Sequence, residues 1–117
     1  MHEVGIAQAI IESVVARLRE GGVRGRVRAV HLRVGRMSTV VPDNLRFSFG
    51  VLAKDSELRD AALEIEEVPV RALCRACGGR FEVDEPCFLC GQCGSPDLEI
   101  LSGTELVIDA LDVEEPS

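Results

Sequence analysis

The feature that most constrains this chain is a pair of cysteine turns, Cys74-Arg-Ala-Cys77 and Cys90-Gly-Gln-Cys93, separated by twelve residues. The stretch that holds them, residues 71–96, is dominated by cysteine, glycine and proline and has no apolar periodicity. A segment so short and polar cannot hold itself together by hydrophobic burial and needs a staple. Two CxxC turns facing each other supply four thiolates at tetrahedral positions, which suits Zn²⁺ in a closed structural site. Glycine follows each pair (Gly78, Gly94) and lets the backbone turn tightly around a metal. A third spacing competes: Cys87-Phe-Leu-Cys90 is also a CxxC followed by glycine, and its use would leave Cys93 free. We favour Cys90 with Cys93. CGQCGS resembles CRACGG closely, whereas Phe88 and Leu89 are bulky, apolar residues better suited to covering a site.

Four sulfurs leave no open position for water or substrate, so the expected zinc is structural and not catalytic. A rubredoxin-like iron centre could use the same cysteines. A thioredoxin-like redox role fits less well, because no pair is expected at the junction of a strand and a helix. The N-terminal MHEVGIAQAI has no basic segment, and Glu12 and Arg17 interrupt its apolar residues, unlike a signal peptide. The longest apolar run falls far short of a membrane span. The expected compartment is therefore a reducing cytoplasm, where five cysteines read as metal ligands better than as disulfides.

Outside the cysteine stretch the chain alternates helix and strand signals. Ile6, Ile10, Val14 and Leu18 recur at helical spacing, with Ala7, Ile11 and Val15 widening the stripe, so residues 3–20 read as an amphipathic helix. Gly21-Gly22 ends it. Residues 26–35 alternate, with Val30, Leu32 and Val34 on one face and His31 and Arg33 on the other. Pro42-Asp43 opens a second helix to about Lys54, with Leu45, Phe49 and Leu52 as its stripe. A strand follows through Leu63 and Ile65 towards Val70, and residues 104–113 form the last. The expected fold is α+β: two helices packed on a small, about three-stranded sheet, with an inserted zinc-ribbon-like module. Residues 1–70 with 102–117 would make the main domain and 71–101 the zinc-binding module. The last strand could pair with either residues 26–35 or residues 63–70.

Hydrophobic residues make up 46% of the chain, enough for a packed core, and aromatic residues only 3%, so that core must be aliphatic. A formal net charge of −7 and the lack of Trp and Tyr argue against a nucleic-acid surface.

The other chemically informative segment is Met1-His2-Glu3. A lone histidine is ordinarily a surface residue. Here, however, initiator methionine should remain, because its removal normally requires a small second residue. The free amine, the His2 backbone nitrogen and its imidazole can then form adjoining chelate rings on one metal. Ni(II) and Cu(II) favour such tetragonal, nitrogen-rich geometry. Glu3 adds either its backbone nitrogen or a carboxylate.

Taken together, these two motifs resemble the HypA/HybF family of hydrogenase nickel-incorporation factors. Its members open with Met-His-Glu running into an amphipathic helix, as MHEVGIAQAIIESV does, and carry two CxxC pairs before a final strand. The segment VHLRVGRMSTVVPDNLRFSF resembles the family's strand, loop and second helix, and the likeness spans residues 1–113. The resemblance implies a metallochaperone that binds nickel as cargo at Met1, His2 and Glu3 and holds zinc on Cys74, Cys77, Cys90 and Cys93. It implies a HypB-type GTPase and the hydrogenase large subunit as partners, with a homodimer also allowed. Neither nucleic acid nor a membrane is expected as a partner. Two departures stand out: Cys87 lies outside the four-cysteine pattern, and Gly50 stands where members often place glutamate. With His2 and His31 the only histidines, the zinc site should be all-sulfur.

The sequence carries no Ser/His/Asp or Cys/His arrangement and no Gly-rich phosphate loop, so delivery is favoured over catalysis. The competing classes are a zinc-ribbon interaction module without a nickel role and a rubredoxin-like electron carrier.

Overall fold

The computed structural model describes residues 3–83 and 88–114. Its elements run α1 (Glu3–Glu20), β1 (Arg26–Gly35), α2 (Pro42–Ala53), β2 (Ala62–Val68), β3 (Arg71–Cys74), β4 (Arg80–Glu82), β5 (Leu98–Ser102) and β6 (Leu106–Glu114). The strands form two three-stranded sheets, ordered β2-β1-β6 and β4-β3-β5. The last strand therefore pairs with β1. Of the described residues, one compact unit takes those up to Leu32, Thr39–Glu66 and those from Val107 onward; the other takes Arg33–Ser38 and Glu67–Leu106.

In the first unit, α1 buries Ile6, Ala7, Ile10, Ile11, Val14 and Leu18, the stripe that its periodicity predicts except for Val15, which is half-buried. Its C-terminus closes with two bonds: the Val23 N–H donates to the Leu18 carbonyl at 3.0 Å and the Gly22 N–H to the Arg19 carbonyl at 3.3 Å. This double closure needs a left-handed residue at its centre, and Gly22 supplies it with φ +59°. Proline at the start of α2 fits because no helical partner exists for an N–H there. α2 packs against α1 and buries Leu45, Phe49 and Ala53. Strict i+4 spacing thus replaces the expected Leu52 with Ala53, and Leu52 is left 37% exposed.

β1 buries Val27, Ala29, Val30, Leu32 and Val34. The buried phase shifts between Ala29 and Val30, so the strand alternates correctly only from Val30 onward. On its other face His31 meets Asp112 of β6 at 2.9 Å.

The second unit has its own small core of Val70, Ala72 and Val83, with Phe81, Leu98 and Ile100 packed against it. β3 lies at its centre, antiparallel to β4 (Ala72 opposite Phe81) and to β5 (Ala72 opposite Ile100). Residues 71–82 therefore carry more regular structure than their composition suggests. Strands of three to five residues are too short to betray themselves by alternation. The strand expected to run to Val70 stops at Val68, before Pro69, which has no N–H to give a ladder.

Residues 33–38 join this unit through backbone bonds. The Gly35 N–H donates to the Glu105 carbonyl at 2.7 Å, Arg36 to Val68 at 2.9 Å and Met37 to Gly103 at 2.8 Å. A Cβ at Gly35 would overlap the Gly103 carbonyl group. The Glu105 carboxylate accepts the Gly103 N–H at 2.6 Å. That bond, with the N–H groups of Glu105 and Thr104, holds the carboxyl below the usual carboxylate range.

Candidate metal centre

The two cysteine turns share one backbone design. In the first, the Cys74 N–H donates to the Gly79 carbonyl at 2.8 Å and the Gly78 N–H to the Cys74 carbonyl at 2.8 Å. In the second, the Cys90 N–H donates to the Ser95 carbonyl at 2.9 Å and the Gly94 N–H to the Cys90 carbonyl at 2.8 Å. Both turns close through a glycine in the left-handed region, Gly78 at φ +77° and Gly94 at φ +73°. That is the physical content of the likeness between CRACGG and CGQCGS.

These turns bring Cys74, Cys77, Cys90 and Cys93 together, with all four Sγ atoms within 4.8 Å of one another. Cys74 and Cys93 are 3.6 Å apart, as are Cys77 and Cys90. Four thiolates at about 2.3 Å from one tetrahedral Zn²⁺ lie about 3.8 Å apart, so the cluster has the size such an ion requires. A disulfide would need about 2.05 Å. Among the described residues, no other group of three or more His, Cys, Asp or Glu side chains converges in this way. Cys74 and Cys90 are buried, and Cys77 and Cys93 face solvent.

The thiols are not equivalent. The backbone N–H groups of Cys93 and Gln92 point at the Cys90 sulfur, at 3.5 and 3.4 Å, and lower its pKa to about 6. At Cys93 the Ser95 N–H pulls the same way, but the sulfurs of Cys74 and Cys90 outweigh it and push the thiol up to about 12. At Cys77 the lowering effect of the Gly79 N–H is likewise outweighed by Cys74 and Cys90, and its pKa rises. Backbone donors favour the thiolate at Cys90, while the neighbouring sulfurs oppose ionisation of Cys93 and Cys77. A bound dication would override that difference, because a metal-coordinating thiol is deprotonated outright.

Met1, His2 and Cys87 lie outside the described residues. Glu3 is the first residue of α1 and is half-buried. His31 is engaged with Asp112, and that contact raises its pKa. Sequence reasoning missed the polar frame around the cysteines: Ser95, Asp97 and Arg75, linked by hydrogen bonds. The Ser-Pro-Asp run after Cys93 carries a turn signal that could have disclosed part of it.

Residues 1–113 match the family model described as hydrogenase/urease nickel incorporation, metallochaperone, hypA. The chain is 40% identical over 116 residues to the hydrogenase maturation factor HypA of Desulfatibacillum aliphaticivorans, covering 99% of this chain and 89% of that protein. It is 38% identical over 115 residues to the HypA of a Nostoc species, covering 98% and 97%. In fold it resembles the solution structure of the Ni metallochaperone HypA from Helicobacter pylori, with a TM-score of 0.68 at 20% identity, covering 99% of this chain and 100% of that one. A second HypA solution structure superposes with a TM-score of 0.72 at 20% identity, covering 99% and 98%.

Proposed function

Because this chain belongs to the HypA family of hydrogenase/urease nickel-incorporation metallochaperones, we propose that it carries Ni(II) as cargo for hydrogenase maturation. We assign the nickel to Met1, His2 and Glu3, and a structural Zn²⁺ to Cys74, Cys77, Cys90 and Cys93. The observation that carries the reading is the family match over residues 1–113, which includes both the N-terminal Met-His-Glu and the two cysteine turns.

The chemistry of each donor set supports the division of labour. The terminal amine, the His2 backbone nitrogen and the imidazole form a nitrogen-rich chelate of the tetragonal kind that Ni(II) favours. Glu3 opens α1, where the positive end of the helix dipole favours a carboxylate. The four cysteines suit a borderline-soft dication in a closed site. Bound there, zinc supplies folding free energy to the second unit and no open coordination position.

The protein acts by delivery and not as an enzyme. Its partners are a HypB-type GTPase and the hydrogenase large subunit, in the cytoplasm, with a homodimer compatible with the chain. No helix among the described residues is long and apolar enough to cross a membrane.

The test is complementation of a host that lacks its own family member. At limiting nickel the chain should restore hydrogenase activity and His2→Ala should not, while excess nickel rescues both. Equal rescue by His2→Ala at limiting nickel would refute the N-terminal site. The rubredoxin-like alternative predicts a red protein containing iron, where zinc leaves it colourless.

A further inference from the structure

Each cysteine turn is closed by its own hydrogen bonds, so something else must set the distance between the two turns. The pairing of β3 with β5 ends with Cys74 opposite Leu98. The next pair outward is Arg75 and Asp97. There the Arg75 N–H donates to the Asp97 carbonyl at 3.0 Å, and the Arg75 Nη1 donates to the Asp97 carboxylate at 3.1 Å. The Asp97 N–H in turn donates to the Ser95 hydroxyl oxygen at 3.1 Å, and the Ser95 carbonyl accepts the Cys90 N–H at 2.9 Å. Pro96, between Ser95 and Asp97, fixes its own φ and stiffens this link. An unbroken path of short bonds therefore runs from the first turn, at Arg75, to the second, at Cys90.

We infer that Arg75 and Asp97 are positioning residues: their ion pair clasps the two cysteine turns at metal-holding distance and slows release of the bound ion. This rests on the four-cysteine zinc assignment above. Neither residue is a ligand, and both act through the backbone that carries the ligands. Without the side-chain pair only backbone bonds and the Ser95 hydroxyl join the two turns along this path, and they separate more readily. The two side chains are 56% and 59% exposed, so the clasp is partly screened by water. The Arg75–Asp97 backbone bond survives any side-chain change. The expected effect is accordingly moderate, about two- to fivefold in release rate.

The experiment follows zinc transfer from the full-length, zinc-loaded protein to an excess of a chromogenic chelator. The proteins compared are wild type, Asp97→Asn, Arg75→Gln and the double variant. Asp97→Asn should release zinc about two- to fivefold faster than wild type and should add nothing in the Arg75→Gln background. High salt should speed release from wild type and leave Asp97→Asn unchanged, a signature that general loss of packing does not give. Asp97→Glu, which keeps the charge, should recover most of the slow release. Equal rates for wild type and Asp97→Asn, or the same acceleration in both Arg75 backgrounds, overturn the clasp alone. A wild-type protein that purifies without zinc overturns the metal assignment, and the clasp falls with it.

Discussion

A single methyl group should have opposite effects at two glycines of this chain. At Gly35 it would collide with the backbone of Gly103, which cannot yield as the end of a flexible side chain can. Relief requires residues 35–37 to separate from 103–105, weakening the Gly35–Glu105 and Met37–Gly103 bonds. Overpacking costs about 1–3 kcal/mol and a lost backbone bond about 0.5–1.5 kcal/mol, so Gly35→Ala should destabilise the second unit by about 2–4 kcal/mol. At Gly50, inside α2, an added Cβ meets nothing within 4 Å. There alanine restricts the unfolded chain and favours helix, for a gain of about 0.5–1 kcal/mol. The chain has no Trp or Tyr, so fluorescence is a poor probe. Helical ellipticity follows the first unit, and the visible bands of Co(II) substituted at the four cysteines follow the second. With a urea slope of about 1 kcal/mol/M for so small a unit, Gly35→Ala should lower the cobalt midpoint by about 2 M or more. Gly50→Ala should raise the ellipticity midpoint slightly. An unshifted cobalt midpoint in Gly35→Ala would refute the steric argument, and so would destabilisation by Gly50→Ala.

Cys90→Ser and Cys93→Ser should each strip zinc from the purified protein, whereas Cys87→Ser should retain it by metal analysis; the reverse result for Cys87 and Cys93 would overturn the ligand assignment. Asp112, aided by Glu64 and Asp109 against the effect of partial burial, raises the His31 pKa. The pair's contribution to stability is therefore complete below the ordinary value of about 6.5 and fades as pH rises through the folded value. An NMR titration should find His31 above about 6.5 in wild type and closer to it in Asp112→Asn. Nickel should be lost on dialysis from about pH 7.5 towards 6, because imidazole (about 6.5) and α-amine (about 7.7–8.0) both compete with protons, while thiolates held by the metal keep zinc. Simultaneous loss of both metals would mean that the sites are coupled or shared.

Much of this architecture was legible because its elements are long or punctuated. The bounds of α1 follow from its apolar stripe and the Gly21-Gly22 stop, and those of β1 from its alternation. α2 begins at the proline that the sequence marks and ends one residue before the expected Lys54. The second sheet was not legible. Its strands are short, and the residues that order it are backbone partners such as Gly35 with Gly103, whose proximity depends on long-range register. The same reason explains why pairing of the last strand with β1 had to come from the structure.

At the site, residue type and spacing put the four cysteines forward as candidate ligands, because CxxC turns are local, and the structure brings their sulfurs together. Spacing alone could not separate Cys87-Cys90 from Cys90-Cys93. The matching hydrogen bonds of the turns at Cys74 and Cys90 support the second pairing, and Cys87 lies outside the described residues. Nor could it disclose the Arg75–Asp97 pair, whose members are 22 residues apart in the chain.

We propose that nickel binds at the N-terminus independently of the cysteines. The most direct test is calorimetric titration of Ni(II) into the untagged, zinc-loaded protein and into His2→Ala, with zinc content and helical circular dichroism measured on both. The free amine must be intact, since any residue added before Met1 removes a donor. Wild type should bind nickel and His2→Ala should not, with zinc and helicity the same in the two proteins. Nickel binding by His2→Ala at the wild-type affinity would contradict the proposal.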